Sequence, residues 1–480
     1  MIKKASIKTN FIYNLLYQVI SLITPLITAP YVARVLGAEG VGVYNYTQSI
    51  VIYFSLIAGL GSNTHGRREI AASSGDQQNM TTVFYDIMAL RAMTVAFSIL
   101  LFWGYIVFWG QNYKLFFMLQ TIDLIAILFD ISWFYQGIEN FKKTALRQIL
   151  VKIMGVFSIL LFVKKASDIH VYILCYSIPV LLGNLFLWID LKGKISFSAS
   201  KVIRPFRHLK SEIALFIPYL ATLLYSYIDK TMLGIFDDTK AEVGYYAQAF
   251  KFIAIAVAVV SSLADVMVPR IANCYKQHKY DDISSLAYRA LRVIFAMAFF
   301  IAGVLFSVSP NLIPWFLGDG YTRSILLLQI LSLLVLVKGA NNFLGSALLI
   351  ATYHQNLLSK CAWLTTIVNV IINALLIPNI GAAGACIATV SSEILLFILQ
   401  LYYTKEYVEI KTVLRIMLRY GIPMLGVIIC VSAIQLSSSI ISTIILGIIS
   451  GFVYLIILLV MKDELVLEIL GKIKSYLKKL

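Results

Sequence analysis

The sequence predicts an all-α, multi-pass membrane protein, and three observations carry that prediction. Of 480 residues, 60% are apolar and only 13% charged, with a mean hydropathy of +0.84. The apolar residues gather into about fourteen stretches, each near the ~20 residues that cross a hydrocarbon core as a helix. The basic residues alternate between the connections, rich on one side of the membrane and sparse on the other. Soluble domains carry about 25% charged residues, so a water-facing enzyme of this size is excluded.

In chain order the spans are 11–33, 43–63, 83–109, 114–134, 146–163, 169–189, 212–235, 243–268, 286–308, 323–351, 357–378, 382–403, 413–433 and 440–461. Met1–Asn10 and the apolar run behind it imitate a signal peptide. That run continues past Pro25 and Pro30 to Val32, which suits an uncleaved first span better. The longest connection, 190–211, is too short to fold a catalytic domain. With the N-terminus placed in the cytoplasm, the cytoplasmic tails, loops and adjoining helix turns hold 30 Lys and Arg, the opposite side six, and the spans four. This is the positive-inside pattern, with both termini cytoplasmic. The net charge of +16 therefore reports membrane topology, and no nucleic-acid partner is expected.

Two passages resemble one another. Arg34-Val-Leu-Gly37, then Gly42-Val-Tyr44 and Gln48, close span one and open span two. Lys230-Thr-Met-Leu-Gly234, then Gly244-Tyr-Tyr246 and Gln248, do the same for spans seven and eight. Six helices separate the copies, so both keep one orientation, the mark of a parallel repeat. The expected organisation is an N-lobe of six spans over 1–189, a basic cytoplasmic linker over 190–211, a C-lobe of six spans over 212–403, and two further spans with a cytoplasmic tail over 404–480. Pro25 and Pro30 in span one, and Pro218 in span seven, kink the first helix of each lobe. A static packing kink and a hinge remain equal readings of them.

Polar stripes at helical spacing point away from lipid. Span one carries Asn14, Gln18, Ser21 and Pro25; span seven carries Pro218, Thr222, Tyr225 and Asp229 at the same intervals. Lys338, Asn341 and Gly345 mark span ten, and Thr366, Asn369 and Asn373 mark span eleven. One or two stripes suit interhelical hydrogen bonding; four across both lobes suggest a shared water-filled cavity. Ionisable groups at depth cost ~2.5–3.5 kcal/mol or more unless hydrated or paired. Lys338, Glu393 and Asp123 lie nearest the midplane, with Arg91 and Lys251 less deep. Arg91, Lys251 and Lys338 would draw an anion into a cavity, and phosphate suits such cations. Asp123 and Glu393 are the candidates for a coupling proton or cation. Asp86, Asp130 and Asp265 lie close to the cytoplasmic boundary and carry less weight; Lys230 is free to snorkel outward. Five scattered cysteines and five histidines show no metal-ligand spacing, and no phosphate loop or nucleophile motif occurs, so neither metal, cofactor nor catalytic residue is expected.

Thr28–Gly42 (TAPYVARVLGAEGVG) with Tyr44 resembles the opening signature of bacterial polysaccharide transporters, and Asp229–Gly234 (DKTMLG), Val243–Lys251 (VGYYAQAFK) and Val268–Arg270 (VPR) resemble the matching signature of their second lobe. The chain is identified on these motifs with the multidrug, oligosaccharidyl-lipid and polysaccharide exporter superfamily. Within it, the sequence is most similar to flippases for lipid-linked oligosaccharides, of the Wzx type. The resemblance implies two six-helix lobes around a cationic cavity. It implies an undecaprenyl-diphosphate-linked glycan repeat unit moved to the outer leaflet by alternating access, in the bacterial cytoplasmic membrane, for O-antigen or capsule assembly. It extends the anion-binding role to Arg34 as an outer-gate or phosphate contact, beside an interfacial-anchor reading. Polysaccharide polymerase or assembly proteins are plausible partners, and the internal duplication makes a functional monomer reasonable. A multidrug exporter or a flippase for the peptidoglycan precursor would share the fold. A membrane glycan polymerase or ligase would need larger external loops, and a channel would be expected as repeated subunits.

Overall fold

The computed structural model describes residues 7–195 and 203–477. Its principal elements are α1 (Ile7–Gly59), α2 (Ser62–Ala72), α3 (Gln77–Phe108), α4 (Lys114–Phe129), α5 (Ser132–Gly137), α6 (Phe141–Phe162), α7 (Ile169–Ile189), α8 (Phe206–Phe236), α9 (Ala241–Lys276), α10 (Tyr280–Leu317), α11 (Arg323–Asn342), a π-helical segment (Phe343–Ile350), α12 (Gln355–Ile380), α13 (Ala382–Tyr403), α14 (Ile410–Ser432), α15 (Ile440–Val460) and α16 (Glu464–Leu477). Among the described residues, twelve helical runs are long and apolar enough to cross a membrane. The chain is an all-α polytopic membrane protein. Two places separate twelve from the fourteen expected. Spans one and two share the 58-residue run Leu15–Ala72, and α8 is outside the twelve.

Sequence explains where the helices bend and end. Within α1 the backbone leaves helical geometry at Gly37, at φ 68° and ψ 178°. No atom lies within 4 Å of where its Cβ would stand. Backbone conformation, not crowding, is therefore what requires glycine there. Pro25 and Pro30 remove donors from the same helix and leave the carbonyls one turn earlier without their usual partners. Asp76 caps α3 by accepting from the Gln78 and Asn79 amides at 2.8 and 3.2 Å. Asp463 caps α16 through the Leu465 amide at 3.1 Å.

Packing divides the chain into two compact units, Met1–Gly244 and Tyr245–Leu480. By packing, α8 belongs with the first unit, whereas the repeat pattern assigns span seven to the second lobe. The reason lies in its contacts: the Thr231 hydroxyl donates to Ser49 Oγ at 2.8 Å, and Lys230 donates to Asn45 Oδ1 at 3.1 Å. Lys230 thus turns inward instead of snorkelling. The repeated motifs themselves meet backbone to backbone. A Cβ on Gly42 would stand 1.7 Å from the Lys240 carbonyl oxygen, and one on Gly244 would stand 1.9 Å from that of Ala38. The glycines shared by the two motifs are the price of that reciprocal approach.

In the first unit, one cluster sits beneath α2 and α5 around Phe84, Trp133 and Phe134, and another joins α1, α3 and α4 around Val51, Phe102 and Phe117. In the second unit α10 is the central helix, packed on α11, α14 and α15. The Tyr454 hydroxyl of α15 donates to the Ala296 carbonyl at 2.9 Å, and the Trp315 indole donates to Thr443 at 2.6 Å. The last two spans are therefore tied directly to α10. The cysteines are free, and three of them, Cys175, Cys361 and Cys386, are buried.

Candidate functional site

The first unit contains a cleft of about 470 Å³ whose polar lining comes from Ser55, Asn63, Thr64, Asp130 and Tyr227. Arg91 stands behind its wall. The guanidinium is 1% exposed; it donates to Ser62 Oγ at 3.0 Å, Asn63 Oδ1 at 2.6 Å and the Asp130 carbonyl, with the Trp133 ring 5.8 Å away. Every edge of the fork is engaged, so Arg91 braces Asn63 and Asp130 from behind.

Deeper in the same unit, Asp123 is half-buried and accepts hydrogen bonds from Gln48 and Ser177. Gln48 accepts in turn from Gln120 at 3.1 Å. Asp229 is buried beside the Tyr53–Thr231–Ser49 chain of hydroxyls. Gln18 and Arg34 are exposed. The Asn14 side chain lies outside the described residues.

In the second unit the sequence-predicted residues converge on one another. Lys338 forms an ion pair with Glu393 Oε1. Asn341 donates to Glu393 Oε2 at 2.6 Å and to the Glu393 carbonyl at 3.0 Å. Glu393 is 1% exposed, while the Lys338 side chain keeps 29% of its surface open. The residues expected to serve separately as anion ligand and ion-coupling acid are partners. Immediately beyond, the backbone switches to the π-helical segment, a distortion found often at functional positions. Asn342 donates to Ser261 at 2.5 Å, joining α11 to α9. Asn369 is buried and accepts from Asn373 at 3.0 Å; Lys251 is half-buried on α9.

Four groups escape the sequence reading. Asp86, discounted as a boundary residue, is fully buried and accepts from the Arg204 amide at 2.7 Å, with Arg207 Nε 3.3 Å away. It anchors the basic linker to α3. Nearby, His65 Nε2 and His208 Nδ1 are 2.8 Å apart. Glu212 is 1% exposed with neither carboxyl oxygen hydrogen-bonded. The only signal for it was an acid at the head of an apolar run. Lys152, counted with the cytoplasmic boundary of span five, lies eleven residues into α6, roughly 16 Å along the helix.

Buried ion pairs, polar clefts and membrane-length helices together define a multi-pass helical transporter. The chain belongs to the family described as polysaccharide biosynthesis protein, which it matches over residues 7–274. It is 23% identical over 411 residues to an Escherichia coli K12 protein described as an O-antigen transporter, covering 82% of this chain and 97% of that one. A Haloferax volcanii protein described as a low-salt glycan biosynthesis flippase is 25% identical over 190 residues, 39% of each chain. Among solved structures, the lipid II flippase MurJ in an inward closed conformation matches with a TM-score of 0.75 at 15% identity, covering 95% of this chain and 99% of that one. An inward-facing multidrug resistance MATE transporter of the MOP superfamily matches at 0.62 and 12% identity, covering 82% of this chain and 94% of that one. Both structural likenesses show the fold.

Proposed function

We propose that this protein is a flippase that moves a polyprenyl-diphosphate-linked oligosaccharide repeat unit from the inner to the outer leaflet, by alternating access, for surface polysaccharide synthesis. The observation that carries the reading is similarity to an O-antigen transporter along nearly that protein's whole length, within a polysaccharide biosynthesis family. The fold is shared with multidrug exporters, but the sequence relatives handle glycans.

Several finer points belong to the same proposal. The run Leu15–Ala72 counts as two crossings about Gly37, since 58 residues at ~1.5 Å each would measure roughly 85 Å against a ~30 Å core. With α8 this makes fourteen. The 30-to-6 basic bias supports two cytoplasmic termini in the bacterial inner membrane, two six-span lobes joined by 190–211, and spans thirteen and fourteen beyond them. Arg34, Lys251 and Lys338 serve as substrate-facing cations, with Gln18, Asp229, Asn341 and Asn369 as polar lining. Arg91 acts through Asn63 and Asp130. Asp123 and Glu393 are the ion-coupling acids, the latter through exchange of Lys338 for a proton or cation. A monomer working beside a polymerase completes the reading.

The test is the leaflet distribution of the lipid-linked oligosaccharide in cells depleted of this protein and complemented with wild type or Lys338→Glu. Build-up on the cytoplasmic leaflet, relieved by wild type and not by Lys338→Glu at equal expression, is the expected result. Normal distribution and normal surface glycan under depletion, with reduced efflux of cationic dyes, would overturn it.

A further inference from the structure

A second cleft, of about 260 Å³, lies within the first unit between α1, α6 and α7. From α6 it is lined by Gln148, Lys152, Gly155 and Ile159, which recur at helical spacing on one face. Tyr17, Thr24 and Thr28 of α1 and Tyr176 of α7 face them, and Pro25, Val151, Val156 and Val180 supply an aliphatic side. One turn further along α1 the Tyr31 hydroxyl donates to the Val163 carbonyl at 2.6 Å, beside a packed cluster of Val32, Leu36 and Tyr172.

Charge makes this cleft unusual. Lys152 is half-buried, and among the described residues its ammonium makes no hydrogen bond or ion pair. Exposed Leu150, Ile153 and Met154 surround it on α6, so its level lies within the apolar belt. An unpaired cation at such depth costs ~2.5–3.5 kcal/mol unless water or a counter-charge meets it. Arg147, also in the lining, is 9% exposed. It donates to Asn184 Oδ1 at 2.8 Å and lies 3.9 Å from Asp130, and its Nε has no hydrogen-bond partner. Among the described residues no Asp or Glu lines the cleft. Two cations, one of them unmatched, thus face a slot with aliphatic walls inside the hydrocarbon layer.

We propose that this cleft binds a phosphate group carried on an apolar chain, the phosphate held by Lys152 and Arg147 and the first part of the chain by the aliphatic wall. Arg and Lys are the natural ligands of phosphate oxygens, and an apolar chain keeps the phosphate at membrane depth and packs on the aliphatic side of the cleft. A free inorganic anion would gain only the first of these. The site stands whether or not the chain flips a glycan, because the carrier lipid of such a substrate and an ordinary anionic phospholipid present the same chemistry.

The test uses the full chain in phosphatidylcholine nanodiscs, with retention of undecaprenyl phosphate, phosphatidylglycerol and inorganic phosphate measured separately by native mass spectrometry. Lys152→Glu reverses the charge. Gly155→Leu fills the slot without touching the charge, since a Cβ there meets only the Cys175 carbonyl at 3.6 Å. Both should weaken amphiphile retention about tenfold, or ~1.4 kcal/mol, and Lys152→Arg should restore it. Retention of undecaprenyl phosphate alone assigns the site to a glycan carrier; equal retention of phosphatidylglycerol assigns it to the bulk membrane, and either upholds the site. Unchanged retention in Gly155→Leu and in Lys152→Gln, or inorganic phosphate bound as tightly as the amphiphiles, overturns it. Normal leaflet distribution under depletion would remove the flippase reading and leave this result intact.

Discussion

Two deep lysines, Lys338 in the second unit and Lys152 in the first, are treated in opposite ways. In the second unit the deep lysine has its acid: Lys338 and Glu393 are paired, and Asn341 occupies the carboxylate's other oxygen. In the first unit the deep lysine and the deep acid have separate surroundings. Asp123 is held by the neutral donors Gln48 and Ser177, and Lys152 opens on a cleft lined by no acid. A charge matched inside the protein is neutral toward a visitor; a charge left unmatched attracts one. That difference is what separates the two proposals, counter-ion exchange at Lys338–Glu393 and anion binding at Lys152.

That contrast can be broken most forcefully at Glu393. Glu393→Gln leaves Lys338 without its counter-charge and should destabilise the protein by about 3–5 kcal/mol, read as a large fall in the thermal midpoint in detergent. Adding Lys338→Met should recover most of the loss; a double variant no better than the single would remove the pair from the argument. Next in size, Arg91→Ala strands the Ser62 and Asn63 acceptors and should cost roughly 3 kcal/mol, seen as reduced folded yield. Lys152→Ala should change sign: with no partner among the described residues to strand, it should leave stability unchanged or raise it by about 1 kcal/mol. A loss as large as that at Glu393 would mean Lys152 is matched after all.

The smallest effect lies outside the membrane. Lys143 and then Lys194 hold the Asp190 carboxyl below the usual carboxylate range. Its folded value being lowered, its contribution is complete at neutral pH and is lost as the pH falls below about 4 and passes through the folded value. Asp190 is half-exposed, so Asp190→Asn should cost only about 0.5 kcal/mol near pH 7 and less near pH 3. An equal cost at both pH values would show that charge is not what the residue supplies.

Composition alone settled the class, because a helix in lipid must be apolar along its length and that leaves its mark on every span. The basic alternation and the paired motifs Arg34–Gly42 and Lys230–Gly244 were legible for the same reason: each is a local pattern with a local physical cause. The motif glycines could be read as repeated, though not as touching. Only folding brings the Gly42 and Gly244 backbones against Lys240 and Ala38.

The candidate site was legible as a set of residues and not as a set of pairs. Depth along a span singled out Lys338, Glu393, Asp123 and Arg91, since the cost of charge in hydrocarbon depends on position along one helix. Whether that cost is met depends on the neighbouring helix. Lys338 found Glu393, 55 residues away, and Arg91 found Ser62 and Asn63. The sequence places Lys152 close to the start of its apolar run, whereas its helix begins earlier, at Phe141; that it has no partner among the described residues is a property of three helices together. The sequence on its own established that this chain lives in a membrane and which charges lie along its spans. Tertiary packing chose which of those charges are cancelled and which remain, because cancellation requires contact and contact is non-local.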